Sequence, residues 1–106
     1  MAWIVLFVAG LFEVVWAFAM KQSDGFSRLW PSVVTIVGMM ISFWLLSWSM
    51  RVLPLGTAYT VWTGIGAVGA FLVGVTVLGE ALTTMRAVAA LMIVGGLVLM
   101  KLSSPA

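Results

Sequence analysis

Four apolar stretches separated by short polar breaks organise this chain. Its charged residues stand at Glu13, Lys21, Asp24, Arg28, Arg51, Glu80, Arg86 and Lys101. All except Glu13 fall where helices would have to end. Charge-free runs cover Leu29–Met50 and Val52–Gly79, each long enough for the ~20 residues that a bilayer-spanning helix needs. The last run, Ala87–Met100, is short by itself, but Arg86 and Lys101 can snorkel outward at its two ends. The pattern predicts an all-α integral membrane protein of one domain, residues 1–106, with transmembrane helices at about 2–20, 30–50, 55–78 and 83–102.

The connections are very short. QSDGFSR (22–28) reads as a turn pivoting on Asp24-Gly25, and in RVLPL (51–55) Pro54 ends one helix and starts the next. GEALTT (79–84) opens the fourth helix, with Thr83 or Thr84 as N-cap. Helices joined this tightly are expected to be antiparallel neighbours. Ala17-Phe18-Ala19 mimics a signal cleavage site. The stretch before it lacks a basic region and is interrupted by Glu13, so a retained helix is expected.

Composition narrows the chemistry. Of 106 residues, 64% are hydrophobic and 8% charged, far from the ~25% charged of soluble domains. Without Cys there is no disulfide or thiolate metal site; without His there is no imidazole base or ligand. No metal, cofactor or enzymatic chemistry is expected. The pI of 9.7 comes from five scattered basic residues that form no patch, which argues against nucleic acid.

Against this background Glu13 stands out. It lies in MAWIVLFVAGLFEVVWAFAM, where every other residue is uncharged. A carboxylate at mid-bilayer depth costs roughly 3 kcal/mol on insertion scales, and such residues usually mark ion, proton or substrate routes. The bland alternative is a structural, protonated Glu bonded to a neighbouring helix. At helical spacing Leu6, Ala9, Gly10, Trp16, Ala17 and Met20 share its side. The small residues allow close approach, and Trp16 offers an aromatic wall. On the third helix Tyr59, Trp62, Thr63 and Gly66 share a face. A carboxylate with aromatics is the chemistry of a cation site, combining charge pairing with cation–π attraction.

Each aromatic also has a simpler explanation. Trp3, Trp30 and Trp48 lie near helix ends and read as interfacial anchors. Trp16 and Trp62 could be packing alone. Tyr59 needs a hydroxyl partner if buried, which a carboxylate could supply. Ser42 is the most central hydroxyl of the second helix; such a Ser more often bonds its own backbone one turn back than a ligand. Gly64-Ile-Gly66-Ala-Val-Gly69 mimics a dinucleotide fingerprint, but it lies inside an apolar helix rather than after a strand. Gly64, Gly66 and Gly69 instead predict close packing and a hinge. Ala89, Gly95 and Gly96 supply small-residue contacts on the fourth helix, whose expected role is dimer packing. Four short helices cannot easily seal a cavity from lipid. Alternating-access transporters commonly use two inverted repeats, and a chain with one repeat unit obtains the second only by dimerising.

The segments FEVVWAFAMKQSDGFSRLWPS, LPLGTAYTVWTGIGAVGA and GGLVLMK resemble the small multidrug resistance transporters over essentially the whole chain. The resemblance implies antiparallel homodimers of four-helix subunits in the bacterial inner membrane that export cations in exchange for protons. Trp16, three residues after the glutamate, and Ser42 match the guanidinium-exporting members, whereas drug exporters typically carry Gly in place of that Trp. It implies Glu13 as the shared proton and substrate site, supported by Trp16, Ser42, Tyr59 and Trp62, with Gly10 at a close-packing position. Ala81 departs from the family, where Pro is frequent, but this concerns a loop. Two rivals stand beside this reading: a broad exporter of bulky aromatic cations, and a non-transporting subunit or channel in which Glu13 lines a pore or pairs with another protein.

Overall fold

In the computed structural model, which describes residues 1–104, the chain forms α1 (Ala2–Gln22), α2 (Leu29–Ser49), α3 (Leu55–Thr76) and α4 (Thr84–Ser103). No strand occurs among the described residues. Each helix has 20 to 22 residues, which at ~1.5 Å per residue matches the ~30 Å hydrocarbon thickness. All four are apolar and long enough to cross a membrane.

Local chemistry sets the ends. After α1, the residues Asp24, Gly25 and Phe26 all take positive φ, at 51°, 71° and 65°. Gly accepts this freely and Asp tolerates it; Phe does not. The buried Ser23 holds the turn: its hydroxyl donates to the Met20 carbonyl at 2.6 Å and accepts from the Phe26 N–H at 3.0 Å. Between α2 and α3, Leu53 is buried and its N–H donates to the Ser49 carbonyl, while Pro54 precedes the first turn of α3. Gly79, at φ 71°, turns the chain after α3. The Glu80 N–H then donates back to the Gly74 carbonyl at 2.9 Å. Thr83 is the N-cap of α4, its hydroxyl accepting from the Arg86 N–H at 3.2 Å.

The packing order departs from chain order. α1 lies between α2 and α3, touching both along its length, whereas α2 and α3 meet only briefly despite their short connection. The reason is side-chain size. α1 brings Ala2, Leu6, Ala9 and Gly10 into the interior, where they meet Leu46, Ala58, Val61 and Trp62. Small residues on α1 let two neighbours approach it at once, so neighbours in the chain need not be neighbours in space.

The backbone of α4 runs close to α3 alone, and its last turns reach α1 only through side chains. Among the described residues none in α4 is buried, and Leu91, Met92, Leu99 and Leu102 are fully open to the surroundings. Ala89 is exposed, and a Cβ at Gly95 or Gly96 would meet nothing within 4 Å. The Cα envelope measures 43 × 35 × 17 Å, about two helix layers thick, given interaxial spacings of ~8–10 Å and a Cα radius of ~2.3 Å. Of the three tryptophans expected at the interface, Trp30 is strongly exposed and Trp48 moderately so. Trp3 instead packs against the core, with the Lys101 ammonium 4.5 Å from its ring centre.

Candidate functional site

Glu13 lies halfway along α1, on the side facing α3. Its side chain rests directly on the backbone of Gly66: a Cβ added there would collide with the carboxyl group itself. One turn on, Val14 fills the space that a side chain at Gly69 would need. One turn back, a Cβ at Gly10 would come within 2.5 Å of Ile65 Cγ2. Gly10, Gly66 and Gly69 thus form the close seam between α1 and α3. Gly64 points elsewhere, towards Leu97 of α4. α3 is continuous through all these glycines.

Ser42 reaches across to α1. Its hydroxyl donates to the Ala9 carbonyl at 2.7 Å and accepts from the Trp62 indole N–H at 2.9 Å. This differs from the expected bond to its own helix. Ala9 has only a methyl side chain to hold α2 away, so its carbonyl comes within reach of Ser42. A single buried hydroxyl therefore ties α1, α2 and α3 together one turn from Glu13.

The aromatic side chains form a row. Trp16 meets Phe43 edge-on at 6.3 Å and 72°, Phe43 lies 5.6 Å from Trp62, and Trp62 lies 5.6 Å from Tyr59. Tyr59 is 53% exposed, so its hydroxyl is not forced onto the carboxylate. Thr63, expected on the same face as Trp62 and Gly66, is exposed and lines a 350 Å³ cavity towards Ile93 of α4. Phe43 escaped sequence reasoning, and its adjacency to Ser42 was the only signal. Gly38 escaped it too; a Cβ there would stand 3.2 Å from Trp16 Cβ, so Gly38 lets α2 approach the backbone of α1 at Trp16.

Two polar atoms in this region are buried with no hydrogen-bond partner among the described residues: Oε1 of Glu13 and Nε1 of Trp16. An orphaned buried polar atom is costly, more so in an apolar medium. An unpartnered carboxyl oxygen in a bundle that also holds a row of aromatic rings suits a flat cation with N–H groups in its plane.

The sequence matches the family described as Small Multidrug Resistance protein over residues 1–102. Proteins called "Guanidinium exporter" from Citrobacter freundii, Salmonella typhimurium and Escherichia coli (strain K12) are each 54% identical to it over 104 residues, covering 98% of this chain and 99% of theirs.

Proposed function

Because the chain belongs to the small multidrug resistance family, and is thereby a multi-pass transport protein of the bacterial inner membrane, we propose that it exports guanidinium and small guanidinyl cations in exchange for protons. The observation that carries this reading is the solitary carboxyl group halfway along α1, with a buried oxygen lacking a partner, in a bundle that also holds a row of aromatic rings. The names of relatives 54% identical over nearly the whole length support the substrate class.

Guanidinium is a planar cation that keeps its proton at ordinary pH, so it does not cross a bilayer as a neutral species. Its N–H fork fits a carboxylate in two places, and its face stacks on an indole. Glu13 serves as the shared proton and substrate site. Trp16 and Trp62 furnish flat walls, and Ser42 fixes the Trp62 ring through its indole N–H. Tyr59 closes the row. Gly66 gives the carboxyl group its place, and Gly10 sets the approach of α3.

A single subunit leaves every residue of α4 unburied, which supports a second copy as the partner that completes the bundle. The functional unit is an antiparallel homodimer in which two Glu13 carboxylates face one cavity and α4, with Ala89, Gly95 and Gly96, packs between subunits. Protons and guanidinium compete for the same pair, which titrates as a unit. Competition for one site, exposed in turn to each face of the membrane, produces exchange without a separate coupling device.

The test is proton-driven guanidinium uptake by purified protein in liposomes, followed with a pH-sensitive dye. The wild type should move protons when guanidinium is supplied, and Glu13→Gln should fall to the level of empty liposomes. Gln keeps size and hydrogen bonding but has neither charge nor a titratable proton, so wild-type exchange by this variant would end the reading.

A further inference from the structure

The α3–α4 connection already holds a guanidinium group, that of Arg86. Sequence reasoning sends this side chain outward to the membrane surface. It ends on the connection that precedes its own helix. Nη1 donates to the Ala81 carbonyl at 2.8 Å, Nη2 lies 3.4 Å from Glu80 Oε1, and Cζ stands 5.4 Å from the Phe71 ring centre. A carbonyl, a carboxylate and an aromatic face are the contacts by which a free guanidinium ion would be held.

The cradle is built independently of the side chain that fills it. The Glu80 backbone is pinned to α3 through the Gly74 carbonyl. Its carboxylate lies where a Cβ on Gly74 would come within 2.8 Å, so glycine at that position leaves room for it. The Arg86 backbone is fixed by Thr83, whose hydroxyl caps its N–H. A 250 Å³ cavity lined by Ala67, Phe71, Arg86 and Ala89 lies alongside, large enough for an ion of four heavy atoms with water.

We propose that Glu80, the Ala81 carbonyl and Phe71 form a second guanidinium-binding site, occupied at rest by Arg86, for which the exported cation competes. The identity of that competitor rests on the function proposed above. Arg86 and Glu80 are 43% and 46% exposed, and exposed ion pairs contribute little by themselves. Displacement therefore needs only weak binding, in the roughly millimolar range. Once displaced, Arg86 no longer ties the first turn of α4 to the connection before it, so high substrate loosens the start of the helix that has no buried residue.

The experiment uses full-length protein in detergent micelles carrying Glu13→Gln, which silences the central site, with and without Arg86→Ala. Guanidinium chloride is titrated against equal sodium chloride while the backbone amide resonances of Glu80, Ala81 and Thr83 are followed. Removing Arg86 should give a saturable shift with guanidinium and none with sodium. Restoring Arg86 should weaken the apparent affinity about tenfold, and adding Glu80→Gln to the Arg86→Ala protein should weaken it by a similar factor, the weight of one charge-assisted hydrogen bond. Arg86→Lys serves if the Ala variant does not fold, because an ammonium lacks the planar fork and should still admit the ion. Equal shifts with sodium, no saturation, or an affinity indifferent to both Arg86 and Glu80 would overturn the proposal. With Glu13 already replaced, such a failure leaves the export reading intact, and failure of wild-type exchange leaves this site to be judged separately.

Discussion

Gly66→Ala should damage transport far more than it damages the fold. An ideal Cβ at this position would lie 2.7 Å from Glu13 Cγ and closer still to the carboxyl group. Carbon atoms pack at about 3.5–4.0 Å, so the Glu13 side chain must withdraw by about 1 Å. It is unbranched at Cβ and can do so by changing rotamer, leaving the helices in place. Overpacking costs about 1–3 kcal/mol, offset by about 1 kcal/mol from replacing Gly by Ala within a helix. The net loss of stability should thus be about 0–2 kcal/mol. A reacting or binding group misplaced by about 1 Å loses about 10²-fold in effectiveness. Gly10→Ala is the matched control, because its Cβ would strike Ile65 at Cγ2 and Cβ. That branched side chain cannot turn away, so the helices themselves must separate. Guanidinium exchange in liposomes and thermal unfolding in detergent, measured on both variants, separate the two effects. Gly66→Ala should keep its melting temperature more nearly than Gly10→Ala while losing about two orders of magnitude in exchange rate. A folded Gly66→Ala protein with wild-type exchange would refute the argument that this glycine positions the carboxylate.

Two further outcomes are expected. Ser42→Ala removes the hydroxyl that accepts from Trp62 and donates to Ala9; at about 0.6–1.7 kcal/mol per interhelical bond in membranes, unfolding in micelles should report a loss of about 1–3 kcal/mol and Trp62 fluorescence should shift, whereas unchanged stability and emission would mean that the hydroxyl ties nothing. Orientation follows Lys/Arg asymmetry in short loops, and the flanks carry Arg51 and Lys101 on one side against Lys21, Arg28 and Arg86 on the other; the chain should insert both ways, two or three Lys added after Lys101 should trap one orientation and lower exchange, and C-terminal reporters active on only one side of the membrane in the unmodified protein would rule this out.

The spans were legible because their ends are written in charge and turn chemistry. Lys21, Asp24-Gly25, Arg28, Pro54 and Thr83 each mark a boundary, and the helices end within two residues of the expected limits. The order of packing was not legible. In a bilayer, lipid and protein interior are equally apolar, so the pattern of Leu, Val and Phe does not say which face meets a neighbour. Only small residues carry that information, and they carry it pairwise. Gly66 reads as a packing glycine until Glu13 is found upon it, and Gly38 is silent until Trp16 is placed. Ser42 was singled out by its depth, yet its partner on α1 could not be foreseen, since a backbone carbonyl has no sequence signature. For Arg86, reaching towards the helix end is the general habit of a cation there, but its partners were not legible, because the Ala81 carbonyl is presented only once the loop is folded.

The hydroxyl that joins three helices also divides the bundle lengthwise. An α-helical carbonyl already accepts from the N–H four residues ahead, so Ala9 serves Glu13 within its own helix and gives its second lone pair to Ser42. Beyond that level, towards Gln22 and Thr76, α1 and α3 meet through Glu13, Val14, Gly66 and Gly69, with no hydrogen bond between them among the described contacts. In the exchange cycle proposed above, the bond from Ser42 to Ala9 would serve as a fulcrum: a tilt of α3 against α1 would sweep the far ends through the largest arc while the level of Ala9 hardly moved. Glu13, one turn away, would then keep its depth in the membrane through the cycle.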